Sequence, residues 1–203
     1  MLKKLGLLFA STVCAFAMHT TEININEKDL GISAKLDMGQ FNQTIEPNTT
    51  FIGAAIINGS DDYSQDENGY KIVGLNGYYE LNFLMRRAVN SSGFTAGLGM
   101  KINHTKMEDS FISVPLGLEL GYTIPSVLPV IFGVSVYYAP ESLSFQEGKN
   151  FLQYQASISV ELIERASIVT GFRTIHMKFH NDNETDYSIQ YNTSSYFGFR
   201  FQF

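Results

Sequence analysis

Hydrophobic and polar residues alternate with a period of two along much of the chain. In the segment 152–162 every even-numbered residue is apolar and every odd-numbered residue is polar. The segments 72–83, 94–103, 111–122 and 196–203 show related alternation. Successive side chains of a β-strand point to opposite faces of the sheet, so this pattern predicts strands. The sequence therefore predicts an all-β protein.

The predicted strands have the length and polarity of strands in a membrane barrel. A soluble β-sandwich also alternates, so alternation alone does not separate the two folds. The strands are about ten residues long, which is the length that a tilted strand needs to cross a bilayer. Their polar faces carry glycine, serine, glutamine and charged residues, which suit a crowded barrel interior. These features favour a transmembrane, antiparallel up-and-down β-barrel over a sandwich.

The connections between the strands predict how many strands the barrel has. Both ends of such a chain lie on the periplasmic side, where connections are short, whereas the external loops are long. Counted back from Phe203, long polar external segments, such as 180–193, and short periplasmic connections, such as 86–92, alternate as far as a strand at 50–58. Further upstream, the apolar positions change from odd numbers in 23–25 to even numbers in 30–36, as they would across a hairpin turn at 27–29. The sequence thus predicts ten strands, or eight if 20–38 is a periplasmic extension.

The N-terminus has the features of a secretory signal peptide. Two lysines precede an apolar run at 5–17, which ends in an Ala-Phe-Ala triplet. The run is too short to span a bilayer as a helix, and small residues near its end are typical of a cleavage site. We therefore expect a signal peptide at 1–17, cleavage between Ala17 and Met18, and a barrel at 18–203.

Composition narrows the range of functions. The chain carries 14 Lys and Arg against 20 Asp and Glu, a formal net charge of -6, so it lacks the basic surface that nucleic-acid binding needs. Its single cysteine excludes an internal disulfide framework and a cysteine-based zinc cluster. The sequence predicts no helix that would place two of the four histidines as a pair of metal ligands. No nucleic-acid partner, metal site or cofactor is expected.

Charged residues on the polar faces of the strands are expected to pair inside the barrel. Four positive and four negative side chains fall there, and their charges cancel. They are Lys35, Asp37, Glu80, Lys101, Glu119, Glu161, Arg173 and Arg200. Side chains fill the interior of a narrow barrel, and a charge buried there without a partner is strongly destabilising. The pattern therefore favours a salt-bridged structural network over a charged path for ions or solutes.

One external segment, 139–150, contains two apolar residues that are out of place in a solvated loop, Leu143 and Phe145. We expect this segment to fold inward over the mouth of the barrel. A neutral lumen under an apolar cap predicts a small, non-enzymatic envelope protein whose interior is largely closed. The alternative is a narrow, porin-like channel.

A second alternative is an outer-membrane lipid hydrolase that uses His176. Small-barrel enzymes of that kind place a histidine two residues before a serine on one strand. Here Lys178 occupies the serine position, so a serine would have to come from a neighbouring strand, as Ser194 or Ser195. Because the expected arrangement is missing, the sequence predicts no catalytic residues.

The last strand resembles the C-terminal signal by which bacterial outer-membrane barrels are recognised for assembly. Its polar, glycine and paired hydrophobic positions are Tyr196, Gly198, Phe201 and Phe203. The resemblance implies an outer-membrane protein that has the barrel-assembly machinery as a partner. Outer-membrane lipid and lipopolysaccharide would then surround its apolar face.

Two short motifs resemble the YfaZ family of outer-membrane proteins. Residues 137–145, Tyr-Tyr-Ala-Pro-Glu-Ser-Leu-Ser-Phe, are similar to the strand-to-loop motif of that family. Gly171-Phe172-Arg173 resembles the family's Gly-Tyr-Arg, with Phe172 in place of the usual tyrosine. The order of strands and turns is similar from about Leu30 to Phe203. The resemblance implies a Gram-negative outer-membrane barrel and supplies no catalytic residues.

Overall fold

Ten long antiparallel strands form a closed barrel. They are described by a computed structural model that covers residues 19–27, 29–59, 64–65, 71–72, 77–89, 93–106, 110–180 and 186–203. The barrel strands are β1 (His19–Ile25), β2 (Asp29–Asp37), β3 (Thr50–Gly59), β4 (Tyr78–Ala88), β5 (Phe94–Lys106), β6 (Leu116–Ile124), β7 (Val130–Ala139), β8 (Gly148–Ile163), β9 (Ala166–Phe179) and β10 (Tyr187–Gln202). Each strand pairs with the next, and β1 pairs with β10 to close the sheet. The prediction of an all-β, ten-stranded barrel is confirmed.

The first two strands belong to the barrel wall. The hairpin predicted across 27–29 is present, since β1 ends at Ile25 and β2 begins at Asp29. Ile25 lies opposite Leu30, so both apolar side chains lie on the outer face despite the change of phase. The alternative that 20–38 is an extension outside an eight-stranded barrel is therefore wrong.

The connections give the barrel two different ends. The loop end carries the connections 26–28, 60–77, 107–115, 140–147 and 180–186. Within them lie short strands at Ser64–Gln65, Lys71–Ile72, Ser110–Ser113 and Ser144–Gln146, and a 3-10 helix at Glu141–Leu143. The turn end carries 38–49 with its 3-10 helix Met38–Gln40, then 89–93, 125–129 and 164–165, together with the start of β1 and the end of β10.

A proline breaks one predicted strand. The alternation at 111–122 suggested a continuous strand, but the ladder stops at Ser113 and resumes at Leu116. Pro115 has no N–H to donate, so it interrupts the pairing. The short strand Ser110–Ser113 pairs with the loop-end part of β5 on one side and with Ser144–Gln146 on the other. It therefore continues the sheet beyond β6 at the mouth of the barrel.

Two predicted connections are shorter than expected. The turn predicted at 86–92 begins too early, because β4 continues to Ala88 and pairs Arg86 with Gly97. The external segment predicted at 180–193 ends early too, because β10 begins at Tyr187. An irregularity in the β9–β10 register between Arg173 and Ile175 changes which residues of β10 face inward. The alternation of the sequence therefore did not identify the first part of this strand.

Apolar side chains cover the outside of the barrel. Leu98, near the middle of β5, is 68% exposed, and large exposed apolar residues recur at outward positions of every barrel strand except β9. Examples are Ile23, Ile32, Ile56, Leu81, Leu118, Val134, Ile158 and Phe199. A soluble protein buries such residues, whereas here the outer surface is their main location.

Candidate functional site: the barrel interior

The loop-end half of the barrel interior is filled with apolar side chains. This loop-end cluster consists of Ile57, Tyr78, Phe111, Ala139, Phe151, Ile175, Met177, Phe179, Ile189 and Tyr191, all buried. They come from the strand positions that face inward, and their size leaves little room for water. The cluster therefore closes the interior towards the loop end.

Phe111, which lies in the short strand Ser110–Ser113, completes the loop-end cluster. Its side chain is 0% exposed, and its ring centroid lies 6.1 Å from that of Phe151 and 5.4 Å from that of Phe179. Leu143 packs against the same cluster, as the inward folding of 139–150 predicted. Phe145 does not, since it is 48% exposed. Leu143 ends the 3-10 helix, whereas Phe145 lies in the short strand Ser144–Gln146, in which Ser144 is the buried residue.

The first interior ion pair joins β5 to β4. Nζ of Lys101 lies 3.1 Å from a carboxylate oxygen of Glu80 and donates to Oε1 of Gln153 at 2.9 Å. The same ammonium lies 4.0 Å from the centroid of the Tyr137 ring. Tyr78 donates its hydroxyl hydrogen to Glu80. Each charge is thus compensated by several neighbours, as a buried charge requires.

Two arginines pair with carboxylates of the first two strands. Nη2 of Arg173 lies 2.9 Å from Oδ1 of Asp29, and both side chains are buried. Arg200 donates from Nε and Nη2 to the same oxygen of Glu22, at 2.9 and 2.8 Å. These pairs connect β9 and β10 with β2 and β1, so they brace the region where the barrel closes.

Tyr137 connects a fourth pair to the first. Its hydroxyl donates to Glu119 at 2.7 Å, and Nζ of Lys35 lies 3.7 Å from the other oxygen of that carboxylate. The ring lies flat across Gly99 and Gly117, where an added Cβ atom would approach Tyr137 atoms to 2.1 and 2.5 Å. The glycines therefore make room for the side chain that links the two pairs.

Six of the eight charges expected in the lumen form ion pairs. They are Lys35, Glu80, Lys101, Glu119, Arg173 and Arg200. Asp37 instead accepts the backbone N–H groups of Gly39 and Asn48, at 3.0 and 2.6 Å, and so fixes the connection 38–49. Glu161 has no ion-pair partner among the described residues, and it does not line the interior cavity.

Three interior charges were absent from the predicted set. Glu22 and Asp29 are the partners of Arg200 and Arg173, and Arg86 lies near the turn end of β4. Extending the alternation of each strand by a few residues identifies all three. Glu22 shares its face with Asn24, Asp29 has the same parity as Lys35, and Arg86 has the same parity as Glu80.

A polar cavity of about 560 Å³ occupies the turn-end half of the interior. Its lining includes all four paired cations, Arg86, and hydroxyl and amide groups of several strands. Thr20, Thr123 and Gln202 extend the lining to the turn end. The interior is therefore a cavity that ends at the loop-end cluster.

The structure does not bring His176 together with the serines considered for catalysis. Gln190 lies opposite His176 in the β9–β10 ladder, whereas Ser194 and Ser195 lie opposite Arg173 and Phe172. The imidazole stacks on Tyr154, with ring centroids 6.0 Å apart. This arrangement provides His176 with an aromatic contact, and its ladder neighbour in β10 is Gln190 and not a serine.

The C-terminal segment follows its predicted phase through Phe201. Tyr196 and Gly198 are buried on the inward side, Phe197 and Phe199 are exposed, and Phe201 is exposed as well. Phe203 is half-buried and lies among the residues that line the cavity. The predicted signal peptide, with Ala17 and Met18, lies outside the described residues.

Among the described residues, no group of three or more His, Cys, Asp or Glu side chains is placed to hold a metal ion. In the same part of the chain, no helix is long and apolar enough to cross a membrane. In comparisons with known proteins, no family model and no curated protein matches the sequence.

Proposed function

We propose that this protein is a non-enzymatic β-barrel of the Gram-negative outer membrane, closed towards the cell exterior. The observation that carries the proposal is the cover of exposed apolar side chains around a sheet without free edges. A lipid bilayer admits closed barrels because every backbone polar group is then paired within the protein. The outward apolar residues would contact lipid and the acyl chains of lipopolysaccharide.

The two different ends of the barrel suggest its orientation. In outer-membrane barrels the short connections face the periplasm and the long ones face outward. We therefore place the turn end in the periplasm, after export directed by the signal peptide at 1–17. Assembly would use the barrel-assembly machinery and the C-terminal strand with Tyr196, Gly198, Phe201 and Phe203. Membership of the YfaZ family is part of this proposal and rests on the motifs at 137–145 and 171–173.

The interior supports a closed envelope component over the two alternatives. An open channel needs a continuous aqueous path, and the loop-end cluster interrupts it. A lipid hydrolase needs an activated nucleophile within hydrogen-bonding distance of a base, and the β9–β10 register places Gln190 beside His176. The paired charges account for the polar interior as a structural element.

Cell fractionation tests the membrane proposal. The full-length protein, expressed in a Gram-negative host, should fractionate with outer membranes, resist extraction by alkaline carbonate, and migrate differently on gels before and after boiling. Recovery from the soluble periplasmic fraction would contradict the proposal.

A charge placed on the outer face provides a sharper test. Leu98→Arg puts a charge at an exposed outward position, where its burial in lipid should cost about 2–4 kcal/mol and reduce the folded fraction. Glu147→Arg, in the connection 140–147, is the matched control and should leave folding unchanged. Equal folding of both variants would argue against a lipid-facing Leu98.

A further inference from the structure

Arg86 differs from the other interior cations in having no carboxylate partner. Lys35, Lys101, Arg173 and Arg200 each lie within ion-pair distance of a carboxylate. Among the described residues Arg86 forms no such pair, although it lines the same cavity. A guanidinium in a partly desolvated interior is strongly favoured when it has an anionic partner.

Neither remaining interior carboxylate takes that role. Asp37 lines the cavity, but its oxygens accept the N–H groups of Gly39 and Asn48, and it is not within ion-pair distance of Arg86. Glu161 is not part of the cavity lining. Within the part of the chain that the structure describes, Arg86 is therefore an inward cation with no carboxylate within ion-pair distance, although Asp37 and Arg165 line the same cavity.

The guanidinium of Arg86 is held in place and is accessible from the cavity. Its central carbon lies 4.7 Å from the centroid of the Phe51 ring, a cation–π contact that fixes the plane of the group. Arg86 is half-buried on the inward face of β4, two residues closer to the turn end than Leu84. Its N–H donors are thus oriented without being consumed by a carboxylate.

The wall opposite provides the space for a ligand. Inward positions of β6, β7 and β8 near the turn end are small, as at Gly121, Gly133, Ser135 and Ser157. The resulting volume of about 560 Å³ lies in the range of small-molecule sites, which is about 300–1,000 Å³. The loop-end cluster closes the far side of the cavity. A ligand would therefore enter from the turn end and would not pass through the barrel.

We propose that this cavity is a binding site for a small hydroxylated organic anion, such as a sugar phosphate or a sugar acid, with Arg86 as the anchor of the anionic group. Guanidinium groups bind phosphate and carboxylate oxygens through paired N–H donors. The hydroxyl groups of the ligand would meet the polar lining at Thr95, Gln155 and Ser157. The site depends on the barrel interior and not on membrane location, so its failure would leave the proposed function intact.

Calorimetric titration of the folded, detergent-purified protein tests the site. Glucose 6-phosphate and gluconate are the charged probes, glucose is the neutral control, and inorganic phosphate tests the anion alone. We expect binding of both charged sugars, weaker binding of phosphate and none of glucose. Arg86→Gln should weaken binding of glucose 6-phosphate about tenfold or more, because a charge-assisted hydrogen bond is lost. Arg87→Gln changes the exposed neighbouring arginine and should bind as the native protein does.

Several results would overturn the proposal. With the native protein, these are no binding of the charged sugars, equal affinity for glucose and glucose 6-phosphate, or phosphate binding as tight as that of the sugar phosphate. With Arg86→Gln, it is unchanged binding of glucose 6-phosphate. If Arg86→Gln does not fold, the native protein still tests the site through modification by phenylglyoxal. Glucose 6-phosphate should protect Arg86 and not Arg87, and equal modification of Arg86 with and without the ligand would contradict the assignment.

Discussion

The guanidinium of Arg173 in β9 lies 2.9 Å from the carboxylate of Asp29 in β2, although 144 residues separate them in sequence. The two strands are not neighbours, because β10 and β1 lie between them. The side chains are 8% and 0% exposed. The pair therefore spans the closure of the barrel from inside, and its strength depends on the exclusion of water around it.

Removing Arg173 should destabilise the barrel. Arg173→Ala leaves the Asp29 carboxylate buried without its cation, which we expect to cost about 3–5 kcal/mol. Equilibrium unfolding in urea, with the protein refolded into lipid vesicles, measures this free energy. Arg165→Ala, in the exposed turn between β8 and β9, is the control and should change stability little. A change below about 1 kcal/mol for Arg173→Ala would show that the pair is solvated.

Phe111 should hold the loop-end closure together. Phe111→Ala removes a buried ring between Phe151 and Phe179, and we expect a loss of about 3–5 kcal/mol of unfolding free energy. Phe145→Ala, on the short strand that pairs with Phe111's strand, removes an exposed ring and should be nearly neutral. Dye release from vesicles should rise with Phe111→Ala alone. Equal behaviour of the two variants would place the closure elsewhere.

Gly117 should not tolerate a methyl group. A Cβ atom there would lie 2.2 Å from the carbonyl oxygen of Val136 and 2.5 Å from Tyr137, so the wall or the ring must move. We expect Gly117→Ala to cost about 1–3 kcal/mol, as overpacking does. At Gly133 the only close atom is Oγ of Ser157, at 3.0 Å, so Gly133→Ala should be much milder. Thermal unfolding of the two variants compares them directly, and equal midpoints would contradict the packing of Tyr137 on the wall.

The barrel itself could be predicted because a strand exposes its two faces to opposite environments. The period of two at 94–103 and 152–162 identified strands, and the phase change before Leu30 identified the first hairpin. The same periodicity placed Lys101, Glu119 and Arg200 inside. These features are local, since each depends only on the residues of one strand.

The features that the sequence did not predict depend on contacts between distant residues. Alternation shows that Arg173 faces inward, but its partner Asp29 depends on how the sheet closes. The interruption at Pro115 was hidden because the apolar residues on both sides keep the same parity. Phe145 was predicted to cover the mouth, yet Phe111 fills it, because only the pairing of Ser110–Ser113 with Ser144–Gln146 decides which ring points inward.

Asp186 at the loop end gives a pH-dependent signal. Its carboxylate accepts a hydrogen bond from Lys149 at 2.6 Å and also lies near Lys178 and His180, and these contacts lower the pKa of Asp186 from 3.8 to about 2. Because the folded pKa is depressed, the stabilising contribution is complete above pH 3.8 and is lost as the pH falls towards about 2. Carboxyl carbon NMR should show this low pKa. Lys149→Met should raise it towards 3.8, Glu147→Gln should not, and an unshifted pKa in the native protein would show that the pair is not formed.

The electrical conductance of the native protein in a planar lipid bilayer tests the closed barrel most directly. The loop-end cluster blocks the only interior path among the described residues, and the charges below it are mostly paired. We therefore expect insertion without discrete, steady current steps at moderate voltage. Large and stable current steps from the unmodified protein would contradict the closed interior and favour a narrow channel.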